Sequence, residues 1–225
     1  MGKCSYCGEN AGFLKNVHPA CSNRPSDTSS HQSAESRPST EFEEIGVAVL
    51  VGSARASKAI CDELGLNLSA GDKWKVDTEV LGFLLHFMSR RAYAKGGPDL
   101  RDAMQDEVVP IVIETLIKTT WNASNVKEGF DVAEWEKRVF GETLENINSI
   151  EFEYGQCSKV LPDTASGFLT DDSAAGKLAG NIVEIIEVDD FVTARMMVCL
   201  SVTKELGEFG FSAAIDKVAG RGRTT

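Results

Sequence analysis

EVLGFLLHFMSRRAY, residues 79–93, decides the fold. At about 100° per residue, Leu81, Leu84, Leu85, Met88 and Ala92 form one apolar stripe, and Val80, Phe83 and Phe87 form another beside it. A helix that is oily over so wide an arc belongs at the centre of a helical body. The remaining sector holds Glu79, His86, Ser89, Arg90 and Tyr93, spaced so that they share a third of the circumference. Such a group reads either as a polar pocket or as the solvated side of the helix. In a pocket, His86 would supply acid–base chemistry near neutral pH. Glu151, Glu153 and Tyr154, on a later helix, are the expected facing residues.

Working outward, the pattern stays helical from residue 41 onward. Glu41–Leu64 carries Phe42, Ile45, Val49 and Ile60, with small residues between them that allow close helix approach. The helix containing 79–93 is expected over Lys73–Lys95 and is stopped by Gly96-Gly97. Pro98 suits the first turn of the next helix, and Asp99 and Asp102 suit its positive end. Pro110 is expected to kink or split that helix. Asp131 can cap a helix through Trp135, Val139, Leu144 and Ile147. Pro162 and Gly167 mark a loop. A fifth helix should run from Asp171 or Asp172 to Ile186, and a sixth from about Asp189 to Val218, bent at Gly207 or Gly210. No strand pattern appears after residue 40. The expected class is all-α: a bundle of about six helices over 41–220.

The opening of the chain is different. CSYCGENAGFLKNVHPAC, residues 4–21, places Cys4, Cys7, His18 and Cys21 as two close pairs joined by a short connector. Three thiolates and one imidazole suit tetrahedral structural Zn2+. Gly8 can take the backbone conformation that a tight Cys-x-x-Cys turn needs, and a brief extended return is expected near Gly12-Phe13-Leu14. So short a segment has almost no core, so metal binding would supply its folding free energy, on the order of 10–16 kcal/mol in finger peptides. Four protein ligands leave no open position, which argues against catalytic zinc. A redox pair at Cys4 and Cys7 is the alternative, but no strand–helix context supports it. Cys61, Cys157 and Cys199 lie in helical stretches and read as core residues.

Between the two parts, SNRPSDTSSHQSAESRPST (22–40) has no large apolar residue and cannot bury enough surface to offset the entropy of ordering it. Residues 25–40 read as a flexible linker, with His31 a solvated member of it rather than a ligand. The expected organisation is therefore a zinc-finger module at 1–24, a linker at 25–40 and the helical domain.

The net charge is −11, and residues 1–24 carry +2 of it, which leaves −13 for the rest. This disfavours nucleic-acid binding by the whole chain; only the finger could meet an acidic partner. No run of about 18 apolar residues is present and no basic-then-apolar leader opens the chain, so a cytoplasmic location without a membrane span is expected. There is no Gly-rich phosphate loop, nucleophile elbow, H-E-x-x-H or Glu-x-x-His pair. No catalytic or cofactor-binding residue is assigned beyond Zn2+, and partner and oligomeric state stay open.

Residues 4–21 resemble short treble-clef-type zinc fingers found at the start of bacterial proteins of unknown role. That likeness covers about the first 24 residues and implies metal binding; such fingers bind proteins, bind nucleic acids or cap a fold. LLHFMSRRAY (84–93) and EFEYG (151–155), within Leu81–Leu169, resemble a loosely defined set of bacterial helical proteins, which implies a bundle and no particular activity. The expected function is that of a zinc-binding protein-interaction or regulatory module. Nucleic-acid binding through the finger is one alternative, and a ligand-binding or enzymatic bundle using Glu79, His86, Arg90 and Tyr93 is the other.

Overall fold

The computed structural model describes residues 2–3, 10–12, 40–120, 131–208 and 211–221. The residues read as zinc ligands, Cys4, Cys7, His18 and Cys21, lie outside this set, as does His31. Near the N-terminus, β1 (Gly2–Lys3) pairs antiparallel with β2 (Asn10–Gly12), with Gly2 opposite Gly12 and Lys3 opposite Asn10. From residue 40 the described chain is helical apart from connections and one 3-10 turn. It forms six helices: α1 (Thr40–Glu63), α2 (Ala70–Thr120), α3 (Val132–Gly155), α4 (Ala174–Ile186), α5 (Phe191–Glu208) and α6 (Phe211–Arg221).

Local chemistry explains most of the boundaries. α2 is two rods joined at Gly97, whose φ of 74° and ψ of −162° leave helical space in a region only glycine enters cheaply. Pro98 then restarts the helix. Pro110 does not split it: Gly97 is the sole non-helical residue inside α2. The bond lost at the proline nitrogen is offset by burial on both sides, since Val108, Val109, Val112 and Ile113 are all in the core. Asp131 caps α3 by accepting from the Glu134 amide at 3.0 Å. α4 starts at Ala174, slightly later than expected, because the Ser173 side chain is its cap and accepts from the Gly176 amide at 3.1 Å. The long C-terminal helix expected from the sequence is two helices, α5 and α6.

α2 is the hub. It packs against α1, α3, α4 and α6, while α5 lies against α1 and α4. Its first rod buries Val76, Val80, Leu81, Phe83, Leu84, Leu85, Met88 and Ala92, so both apolar stripes face neighbours. At Gly46 of α1 a β-carbon would stand 3.1 Å from Ile111, so the small residue lets α1 approach the second rod closely. α1 also meets α5 through polar contacts: Arg55 pairs with Glu205 at 3.3 Å and Ser201 donates to Glu63 at 2.8 Å. Cys157 and Cys199 are buried, Cys61 is half-buried, and all three are reduced thiols. No described helix is long and apolar enough to cross a membrane.

Candidate functional site: a polar seam between three helices

The polar sector of α2 has two fates. Glu79, His86 and Ser89 are buried, at 9%, 1% and 0% exposure. Arg90 and Tyr93 lie at the surface, Tyr93 at 53% exposure. Arg90 reaches the Ser158 carbonyl at 3.4 Å, and the Arg101 guanidinium lies over the Tyr93 ring at 5.8 Å. The structure thus brings Glu79 and His86 into one interior seam and places Arg90 and Tyr93 outside it.

The partners come from α3 and α4. The Tyr154 hydroxyl donates to Glu79 Oε1 at 2.5 Å, and the Asn181 amide donates to the same oxygen at 2.7 Å. One carboxylate therefore ties together α2, α3 and α4. Both of these donors reach Oε1. Burial pushes the Tyr154 hydroxyl well above its ordinary range, and the adjacent Glu79 charge adds to this, so Tyr154 stays a donor. Its ring meets Phe83 edge-on at 5.8 Å and lies 5.8 Å from the His86 ring.

Further along the seam, His86 Nδ1 faces Glu151 Oε2 at 3.7 Å, with both side chains almost fully buried. Burial raises the Glu151 carboxyl above its ordinary range, and His86 pulls it back only in part. Ser89 accepts from Gln105 at 2.9 Å, which links the two rods of α2. Glu153, the third residue expected to face the sector, points outward and pairs with Lys177 at 3.4 Å.

One end of the seam opens. Glu79 and Asn181 lie at the wall of a cleft of about 750 Å3, lined also by Leu68, Asp72, Lys75, Glu153, Glu184, Ile185, Ile186 and Glu187. Glu187, the C-terminal cap of α4, sits at φ 50° in left-handed conformation. Lys75 is drawn to Asp72 at 2.9 Å. Two groups important to this architecture carry no local sequence signal. Asn181 stands in an apolar helix, where an isolated amide flanked by Gly180 and Ile182 is the only hint. Arg195 is buried and donates to Asp171 Oδ1 and the Gly176 carbonyl, each at 2.6 Å, which fastens the loop before α4 onto α5.

Among the described residues, no three His, Cys, Asp or Glu side chains converge in a way that would hold a metal ion. No family model matches the chain, and no curated protein or solved structure shows significant similarity to it.

Proposed function

We propose that the chain is a zinc-binding interaction protein of regulatory type. In this reading Cys4, Cys7, His18 and Cys21 hold Zn2+ and fold residues 1–24 into a partner-binding module. Residues 25–40 tether that module to the helical body. The donor set fits the ion: three soft thiolates and one imidazole satisfy a tetrahedral structural site and leave no position for substrate. The ion would supply folding free energy, and these side chains would orient the surface around it.

The observation that carries the reading is the pairing of β1 with β2. Lys3 lies opposite Asn10, so the segment holding Cys4 and Cys7 starts and ends at one paired position. A two-thiolate clamp needs that closure. In the helical body, two buried polar groups tie helices together. Glu79 joins three helices and Gln105 joins the two rods of α2.

Affinity capture with the full chain and with a Cys4→Ser/Cys7→Ser variant tests this reading. Proteins captured by the wild type and lost by the variant are expected, with the helical far-ultraviolet signal unchanged. Equal recovery by both would remove the finger from the function. Salt-sensitive binding of the full chain to DNA or RNA, abolished in the same variant, would replace a protein partner with a nucleic acid.

A further inference from the structure

We propose that the solvent-facing stripe of α1 is a self-association surface, on which a second copy of this chain docks with its own α1 running antiparallel. The inference rests on the helical body alone and stands apart from the zinc reading.

α1 buries one face. Ile45, Val49, Ala56 and Ile60 are fully covered where the helix packs against α2, α5 and α6. At about 100° per residue, the opposite side of the helix is centred on Val47, Val51 and Ala54. That side should be polar in a helix that meets only water there. Instead Val47 is 54% and Val51 47% exposed, one turn apart, with exposed Ala54 beside them and half-buried Leu50 at the edge. Valine is a poorer helix former than Ala, Lys or Glu, so two exposed valines bring the helix no local benefit. A single exposed apolar side chain is ordinary, whereas a run of them along one stripe marks a contact surface.

The ends of the stripe identify the occupant. Exposed Glu43 stands at its N-terminal end and exposed Lys58 at its C-terminal end, so the stripe runs acidic, apolar, basic. Such a surface is complementary to itself when turned end for end, which is the symmetry of an isologous pair. An axis between Leu50 and Val51 sets Glu43 opposite Lys58 of the second copy, Val47 opposite Ala54 and Leu50 opposite Val51. A parallel pair would set Glu43 against Glu43 and Lys58 against Lys58, and like charges oppose that arrangement. Lys58 pairs with Asp62 within its own helix, but both side chains are largely exposed, and a pair of that kind contributes so little that Lys58 is free to turn to a new partner. Residues 22–39, which lead into α1, hold no large apolar side chain with which to cover the stripe from the same chain. The net charge of −11 argues against a nucleic acid as its cover.

The test is sedimentation velocity of the full-length protein at chain concentrations from about 10 to about 500 μM, a range suited to a small, transient interface. A reversible monomer–dimer equilibrium is expected. It should be at least tenfold weaker in Val51→Glu, an exposed position at which the helical far-ultraviolet signal should not change. Glu43→Lys and Lys58→Glu should each weaken self-association several-fold, while the two variants mixed in equal amounts should pair with each other about as tightly as the wild type. The Cys4→Ser/Cys7→Ser variant should dimerise like the wild type, so a failure of the zinc reading leaves this result standing. A wild type that stays monomeric throughout overturns the proposal. So does a dimer untouched by Val51→Glu, which places the contact elsewhere, or one that mixing the two charge variants does not restore, which removes the antiparallel arrangement.

Discussion

Replacing Tyr154 by Phe removes one hydroxyl from a fully buried ring and leaves the rest of the ring in place. The edge-on contact with Phe83 and the contact with His86 involve that ring and should survive. What is lost is the 2.5 Å donation to Glu79 Oε1, which leaves the carboxylate with Asn181 as its remaining donor. A hydrogen bond to a charged group contributes about 1.5–3 kcal/mol, and a partner left short in the interior keeps most of its desolvation cost. Tyr154→Phe should therefore destabilise the protein by about 2 kcal/mol, well above the effect of trimming a surface hydroxyl. The assay is equilibrium urea unfolding followed by far-ultraviolet circular dichroism, with Glu79→Gln and the double variant completing a cycle. The two positions should couple by roughly 1 kcal/mol or more, because they share one bond. A loss below about 0.5 kcal/mol, or purely additive effects of the two substitutions, would refute the reasoning. Either result would mean that the hydroxyl and the carboxylate do not depend on each other.

Four further outcomes follow from packing and titration. A β-carbon at Gly82 would stand 2.5 Å from Ile150 Cγ2, so Gly82→Ala should cost about 1–3 kcal/mol by forcing α2 and α3 apart. Gly141→Ala, in open space within α3, should gain about 0.5–1 kcal/mol in the same unfolding experiment. Burial pushes the Cys199 thiol up to about 12, so in the folded protein it should resist a disulfide reagent at pH 8 and become reactive once urea unfolds the chain. Glu151 has a raised folded-state pKa, so between its ordinary value and the raised one the native state holds a proton that the unfolded chain has released. This group's contribution makes stability fall as pH rises through that window, and Glu151→Gln should flatten that part of the stability–pH curve; an unchanged slope would exclude Glu151 as its source.

Two helix ends were legible in the sequence because their chemistry is local, whereas the Ser173 cap of α4 was passed over for the adjacent Asp171 and Asp172. Gly96-Gly97-Pro98 breaks α2 and Asp131 caps α3 because a few adjacent atoms determine each outcome. The central position of residues 79–93 was legible for a different reason: an arc of oily side chains that wide can only be covered by several neighbours. Pro110 was not legible, since its local penalty is overcome by burial that depends on the whole bundle. The angular sector of α2 was informative only in part. It assumes the same cover along the full helix, but α3 and α4 meet Glu79, α3 meets His86 and the second rod meets Ser89, while Arg90 and Tyr93 are left at the surface. Asn181 and Arg195 act across 102 and 24 residues of sequence respectively, at separations where pattern carries no information. The facing pair Glu151 and Tyr154 could be anticipated because both fall on one side of a long amphipathic helix.

The zinc content of the purified, reduced full-length protein tests the functional proposal most directly. One equivalent of zinc per chain is expected, lost when Cys4 and Cys7 are both replaced by Ser and retained when His31 is replaced by Ala. Protein that carries no stoichiometric metal, or that keeps it after the two cysteines are gone, contradicts it.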